Sequence, residues 1–548
     1  MKTKRLASFI LTIVMLCSLA TVFAEGTELR TVTILAPLYR PNSVHSLENR
    51  DEYPTWQEMN RQLAARGLTI DFEGVVNEQY ETVLNTRLAS GNLPDIIATH
   101  GYVSDAQAVT YGDNGLFLDI IELFNTYDED GSILKFWEEE FPDIFGFLST
   151  PEGRIYWVPY MYKFSFITGE EYCATAHTLS VRKDWMDKVG LEWNVNMTVD
   201  ELYDALVAFR EQDVNGNGVA DEVVNISIDS FTNGIAQAFG LPATLASVTS
   251  RSDKIMCPWY EEGIVDYIAY MKKLYEAGVI NTSTIGAGEV GTQLRVENKV
   301  ALEYSYVAQL WLEGDVVGVE GVEYAPTFLR RSADSDDFIV YREGVVMGYA
   351  SKWVVTKYAK DLQAVTDLFD YIFTTDYSEL LHWGIEGLSF KYDEHGARKL
   401  NWMFAEISDI PDFRDSWVGL FLEQALPGVG VLNQFPLDRV IRETTYIGLP
   451  VESKDIAATW IYEHHHDMWS EHNTPLLAMI TAEETEVLNR VETALSSYSK
   501  ELLVDLIVGN RPLEKLDEYI EEMKSLGLDE YLQVFQARHD RFVAFKER

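Results

Sequence analysis

Cysteine is scarce in this 548-residue chain, with three in all, at positions 17, 173 and 257. That excludes a disulfide-stapled scaffold and a four-thiolate zinc site. Cations are short too: 44 Lys and Arg stand against 87 Asp and Glu, for a formal net charge of −43. A surface of that sign repels polyanions, which excludes a nucleic-acid partner, and its simplest use is solubility. After the first two dozen residues no apolar run is long enough to span a bilayer. HExxH, GxxxxGK[ST] and GxSxG are absent, and with them the common signatures of zinc-protease, nucleotide-hydrolase and α/β-hydrolase chemistry.

What stands at the start of the chain is a leader. Lys2, Lys4 and Arg5 precede an apolar run from Leu6 to Leu19, and Val22-Phe23-Ala24 puts small residues where a signal peptidase reads them. Cleavage is expected after Ala24, so residues 1–24 form a signal peptide. Its loss removes three positive charges and no acid, taking −43 to −46. Cys17 lies inside the apolar run behind Leu16, which is too large for the position before a lipid-bearing cysteine. It reads as an ordinary residue of the leader, with a lipid anchor at Cys17 as the lesser alternative. Cys173 and Cys257 either pair in an oxidising compartment or remain two buried thiols.

The length exceeds what one core supports, so two lobes are expected. Thr31–Leu38 reads as a strand, 54–63 as a helix, Leu68–Val76 as a strand, Tyr80–Ala89 as a helix and Pro94–Ala98 as a short buried strand. That alternation predicts a parallel sheet with crossover helices, and ligands of such sheets bind beyond the carboxyl ends of the strands. His100, Tyr102 and Ser104 follow the third strand and are candidate cleft residues, or plain loop residues. Tyr156, Trp157 and Tyr160 crowd five positions, so at least one is expected to face solvent or ligand.

The most specific motif runs Asp213-Val214-Asn215-Gly216-Asn217-Gly218-Val219-Ala220-Asp221-Glu222. Side-chain oxygens fall at loop positions 1, 3, 5 and 9, a glycine at 6 permits the sharp turn, and Val219 offers a backbone carbonyl at 7. A calcium ion takes six to eight hard oxygens in this spacing. Asp221 or Glu222 closes the sphere, because Val224 stands where an EF-hand has its glutamate. The alternative is an Asn/Gly-rich turn without metal. The preceding Thr198-Val199-Asp200-Glu201 is a capping box, followed by an amphipathic helix with Leu202, Ala205, Leu206 and Phe209 on one face. His464, His465 and His466 point in different directions on a helix and read as a solvated face rather than a metal site.

Several segments resemble the family 1 extracellular solute-binding proteins, in the branch of large lipoprotein-like receptors for oligosaccharides and polysaccharide fragments. They include Gly91 to Ile96, Gly115 to Asp119, Gly153 to Pro159, Val181 to Leu191, Thr198 to Glu222, Gly384 to Gly387 and Val508 to Gly527. The resemblance implies an α/β, two-lobed periplasmic-binding-protein-like fold with a hinge and an interlobe ligand cleft. Residues 25–160 and 346–390 form the first lobe. Residues 161–345, with the loop 213–222, and the helical 391–548 form the second. Crossings are expected near 158–165, 340–350 and 385–395. It also implies a structural Ca2+ on Asp213, Asn215, Asn217, Val219, Asp221 and Glu222. The implied function is a monomeric carrier, not an enzyme, that hands an oligosaccharide to the permease subunits of an ABC transporter.

Sugar recognition needs flat apolar faces with polar tips, which Tyr and Trp supply. Of the 29 Tyr and 13 Trp, candidates at lobe edges are Tyr102, Trp157, Tyr160, Trp311, Trp353 and Trp383, each of which has a core role as its alternative. Two rival classes remain at this level: a polysaccharide-active enzyme, and a receptor for another solute such as a peptide. Mass spectrometry of exported protein should find Glu25 as the first residue. A mature chain that retains residues 1–24, or one lipidated at Cys17, contradicts the reading of the leader.

Overall fold

The computed structural model describes residues 28–38, 51, 54–99, 101–162, 177–249, 252–280, 288–306, 319, 321–335, 339–342, 346–374, 376–377, 380, 384–388, 390–392, 398–400, 431–432, 469–472 and 477–547. Strand β1 (Arg30–Leu38) pairs in parallel with β2 (Leu68–Val76) along its whole length, from Arg30 opposite Leu68 to Leu38 opposite Val76. The helix Pro54–Ala65 makes the crossover and buries Trp56, Met59 and Leu63 against the sheet. A second crossover, Asn77–Ser90, buries Tyr80 and Leu84 and stops at Gly91, whose φ of 72° suits a residue without a Cβ. It returns the chain to β3 (Ile96–Ala98), parallel to β1 on its other side. These elements follow the order read from the sequence.

Three later segments complete the sheet. β4 (Val158–Tyr162) and β12 (Val346–Val355) pair antiparallel with each other, and β12 runs antiparallel to β3. β15 (Val431–Leu432) lies parallel to β4, which gives the order β15–β4–β12–β3–β1–β2. The sheet thus draws on four separate stretches of the chain.

The second lobe has its own core. β5 (His177–Arg182), β6 (Val223–Asn225), β9 (Val300–Tyr306) and β10 (Tyr324–Thr327) form a sheet in the order β10–β5–β9–β6. Beside it, β7 (Ser247–Thr249), β8 (Ser252–Met256), β11 (Ile339–Arg342) and β16 (Trp469–His472) are ordered β11–β16–β7–β8. A hairpin pairs β13 (Phe390–Tyr392) with β14 (Arg398–Leu400). Trp185 packs edge-on against Phe209 at 5.6 Å, and the long helix Ala482–Val508 lays Val491, Leu495, Leu502 and Leu506 into the same core. Trp259 donates its indole N–H to Ser499 Oγ at 2.8 Å, a buried hydrogen bond that fixes that helix. Cys257 is buried there with a free thiol, and Cys173 lies outside the described residues.

The last helix, Leu528–Lys546, belongs to both cores. Leu528 and Tyr531 pack in the second, while Phe542 packs in the first with Ala478 and Met479. Phe545 closes on Gly146, where an added Cβ would stand 2.6 Å from its ring. The expectation that 391–548 belongs to the second lobe alone is therefore corrected by β15, Ala478, Met479 and Phe542. The reason is geometric: a helix of this length, rising about 1.5 Å per residue, reaches from one core to the other.

Arg541 ties this helix to the start of Ala482–Val508. Its guanidinium donates to both Glu484 oxygens, at 2.6 and 2.7 Å, and to the Met479 carbonyl at 3.0 Å. Burial pushes the Glu484 carboxyl up, but hydrogen bonds from Arg541 and the Thr481 amide outweigh it and hold the carboxyl below its ordinary range. A depressed carboxyl stabilises the fold above its unfolded pKa, and that stability is lost as pH falls through the folded value. Arg541→Met should therefore cost about 1 kcal/mol at pH 7 and less at pH 3, read from urea midpoints at the two pH values. An equal cost at both would show that the pair contributes packing only.

Candidate functional site

β1, β2 and β3 are parallel, so their carboxyl ends point one way, toward the edge at which ligands of such sheets bind. At that edge Tyr102 is half-buried, stacks at a tilt on Tyr80 with ring centroids 5.3 Å apart, and donates its hydroxyl to Asn77 Oδ1 at 2.7 Å. Ser104 forms a capping box with Gln107 at the start of the helix Asp105–Asp113. His100 lies outside the described residues.

Trp157 and Trp353 are each 1 % exposed and belong to the first core. One face of Trp157 meets the Lys352 ammonium, 4.5 Å from the ring centroid, and Lys352 is itself paired with Asp105. Trp353 packs on Phe369. Neither ring presents a face to a ligand in this structure, which corrects the expectation for these two residues. Trp353 lies in β12, a central strand of a sheet covered on both sides, so its ring has no outward direction, and Trp157 is buried one residue ahead of β4. Tyr156, two residues ahead of β4, is buried as well and donates its hydroxyl to Asp113 Oδ1 at 2.8 Å. Tyr160 lies in β4, its backbone opposite Gly348, while its side chain, Trp311 and Trp383 lie outside the described residues. The sequence reading missed the Asp105–Lys352 pair. Its signal was there: Lys352 is the one charge in Val346–Val355.

The loop Asp213–Glu222 hangs between the helix Val199–Glu211 and β6. The Thr198 box holds the start of that helix, with the Thr198 amide donating to Glu201 Oε2 at 2.7 Å. Asp213 adopts φ 47°, and Gly216 and Gly218 adopt 74° and 83°, a left-handed path that coils the loop inward. Asp213 accepts from the amides of Asn217 and Gly218, at 3.1 and 2.8 Å. Asn215 Oδ1 accepts from Asn217 N at 3.0 Å, and Asn217 Oδ1 from Val219 N at 2.8 Å. The Val219 carbonyl accepts from Asp221 N at 2.9 Å.

The last two acids of the loop differ sharply. Asp221 Oδ1 accepts from the side-chain amides of Asn215 and Asn217, at 3.1 and 2.9 Å, and Oδ2 lies 3.2 Å from Lys299 Nζ. Burial raises its pKa, but these three donors prevail and hold it below the usual range. Glu222 is 1 % exposed; Oε1 accepts from Asn215 N at 3.3 Å, and Oε2 has no partner among the described residues. Burial, with Asp221 and Asp213 nearby, pushes its carboxyl up. Among the described residues no three His, Cys, Asp or Glu side chains gather as a metal-holding group, so any ion here takes its further oxygens from asparagine and backbone.

The family model for the bacterial extracellular solute-binding protein matches residues 48–379. The chain belongs to that family. As a member it is a solute-binding protein and not an enzyme. It is 24% identical over 502 residues to the fructooligosaccharide ABC transporter substrate-binding protein FusA of Streptococcus pneumoniae serotype 4, covering 84% of this chain and 82% of that one. Its fold is similar to that of S. pneumoniae FusA solved with kestose: TM-score 0.68, 20% identity, 94% of this chain and 100% of the other. A FusA EF-hand mutant with fructo-nystose matches at TM-score 0.65 and 19% identity, over 94% and 100% of the two chains. These likenesses establish the two-lobed α/β fold. No helix among the described residues is long and apolar enough to cross a membrane.

The core position of Trp353 is testable against a binding role. Its indole N–H has no acceptor among the described residues, so Trp353→Phe removes volume and no hydrogen bond. The variant should lose about 1–2 kcal/mol of stability, read from its urea midpoint, and keep wild-type affinity for any sugar the protein binds. Weaker binding at unchanged stability would return Trp353 to the ligand site.

Proposed function

We propose that this protein captures an oligosaccharide outside the cytoplasm and delivers it to the permease subunits of an ABC importer. The observation that carries this is the match to FusA across both lobes and nearly the full length of each chain. The ligand lies between the lobes, at the carboxyl edge of β1–β3, where Tyr102 and the Asp105–Lys352 pair are gathered. Tyr160, Trp311 and Trp383 supply the stacking faces. Export follows the leader 1–24, without lipid at Cys17, and the carrier acts as a monomer.

Kestose is the first ligand to titrate. Binding should be saturable, should shrink the radius of gyration in small-angle scattering as the lobes close, and should return the sugar intact after long incubation. Alanine at Trp311 or Trp383 should weaken binding by about 1–3 kcal/mol, roughly 5- to 150-fold. No binding to kestose or to a panel of neutral and uronic-acid oligosaccharides, alongside binding of peptides, would sink the sugar reading.

The loop Asp213–Glu222 is a structural calcium site in this reading. Its donor set suits a hard cation, with oxygens from Asp213, Asn215, Asn217, Asp221 and the Val219 carbonyl, and a buried Glu222 oxygen that has no partner among the described residues. Bound calcium adds countercharge at the loop; catalysis is not involved. Calcium at a hundredfold excess over its dissociation constant should stabilise the fold by ~2.7 kcal/mol. Chelation should lower the melting temperature, and Asp213→Ala should abolish that sensitivity. A melting curve indifferent to chelator on demonstrably metal-free protein counts against the site.

A further inference from the structure

A cation of the protein's own already occupies part of this loop. Lys299 Nζ lies 3.2 Å from Asp221 Oδ2 and 2.6 Å from Glu297 Oε2, and the Lys299 side chain is about a quarter exposed. Its backbone is fixed. Lys299 N donates to the Leu294 carbonyl at 2.9 Å, and Val223 N donates to the Lys299 carbonyl at 2.8 Å. The residue before it, Asn298, takes φ 55° and accepts a 2.7 Å hydrogen bond from the buried Arg182. A turn held this way from two sides delivers the ammonium to Asp221 every time the chain folds.

The consequence is that every oxygen of Asp213 and Asp221, and Oδ1 of Asn215 and Asn217, already has an internal donor. Glu222 Oε2 alone among the loop's carboxylate oxygens lacks one among the described residues. The loop is therefore satisfied without metal on its Asp221 side and unsatisfied on its Glu222 side. A divalent ion drawn in by Glu222 meets a unit positive charge beside the next carboxylate. At a few ångströms that repulsion is large enough to matter even in a partly solvated site.

The structure also gives the ammonium somewhere to go. Asp221 and Lys299 share the wall of an open cavity of about 330 Å³, whose remaining lining is Arg210, Val223, Gly278, Ile280 and Leu294; the Arg210 guanidinium is turned to the Glu222 carbonyl, to which it donates at 3.3 Å. A lysine stem lies readily along side chains such as Val223, Ile280 and Leu294 with its head in the water of the open mouth, away from Arg210.

We propose that Lys299 is a built-in counter-cation for this loop: its ammonium neutralises Asp221 when no metal is held and swings into the adjacent cavity when a divalent cation binds. The inference rests on the calcium reading of the loop. It lets the loop fold without metal, at lower stability than with it, and sets the calcium affinity below what the oxygens alone would give.

The test titrates calcium chloride into chelator-stripped full-length protein by calorimetry, with melting curves in excess chelator alongside. Lys299→Met should bind calcium on the order of tenfold more tightly than wild type and melt at a lower temperature in chelator. Lys299→Arg, which keeps the charge, should stay near wild type, as should Lys524→Met at a remote helix. Equal or weaker calcium binding by Lys299→Met overturns the proposal, and so does an equal gain in Lys524→Met, which would mean net charge alone is at work. Absence of calcium binding in wild type and Lys299→Met alike overturns the calcium reading itself, a result distinct from binding with unchanged affinity.

Discussion

One helix lodged in two hydrophobic cores constrains everything else in this molecule. Leu528 and Tyr531 anchor the helix Leu528–Lys546 in the second lobe, and Phe542 anchors it in the first. Arg538 and Arg541 fasten the segment before Ala482–Val508 along its flank, through the carbonyls of Ala478 and Met479. A closing motion of the lobes must therefore bend or slide at one end of this helix. The looser end is its C-terminus, where Phe545 meets Gly146 and Lys546 meets Asp143. The packing there is a ring against a backbone, a contact that tolerates sliding better than interdigitated branched side chains do.

The same layering explains where sugar-binding chemistry can and cannot reside. The first sheet is covered on both faces, so Trp157 and Trp353 are core however aromatic their surroundings look. The recognition proposed above is accordingly assigned to the sheet's carboxyl edge. The Asp105–Lys352 pair lies at that edge, packed against the face of Trp157. A charged pair on an aromatic floor is stiff, and stiffness at a binding edge lowers the ordering cost of capture.

Much of this was legible in the sequence because it is local. The elements from Arg30 to Ala98, the Thr198 capping box and the inward-coiling loop depend on spacing within a dozen residues, and spacing is what a sequence displays. The burial of Trp157 and Trp353 was not legible, because it depends on strands from three stretches of the chain becoming neighbours. Lys299 reaching Asp221 is of the same kind. Nothing near either residue announces the other, and only the turn that Arg182 clamps through Asn298 brings them together. The return of β15 and of Phe542 to the first lobe was hidden for the same reason.

The strand order of the first sheet has a further consequence, for biogenesis. β12 lies between β3 and β4, and β15 is added at the edge, so the sheet is incomplete until residues far down the chain arrive. Phe542, six residues from the end, fills part of the same core. Contacts this distant in sequence make folding slow, since long loops must close before any of them forms. Under the export proposed above, in which the chain crosses the membrane before it folds, that slowness is protective. The first lobe remains unfinished until β12, β15 and Phe542 have arrived.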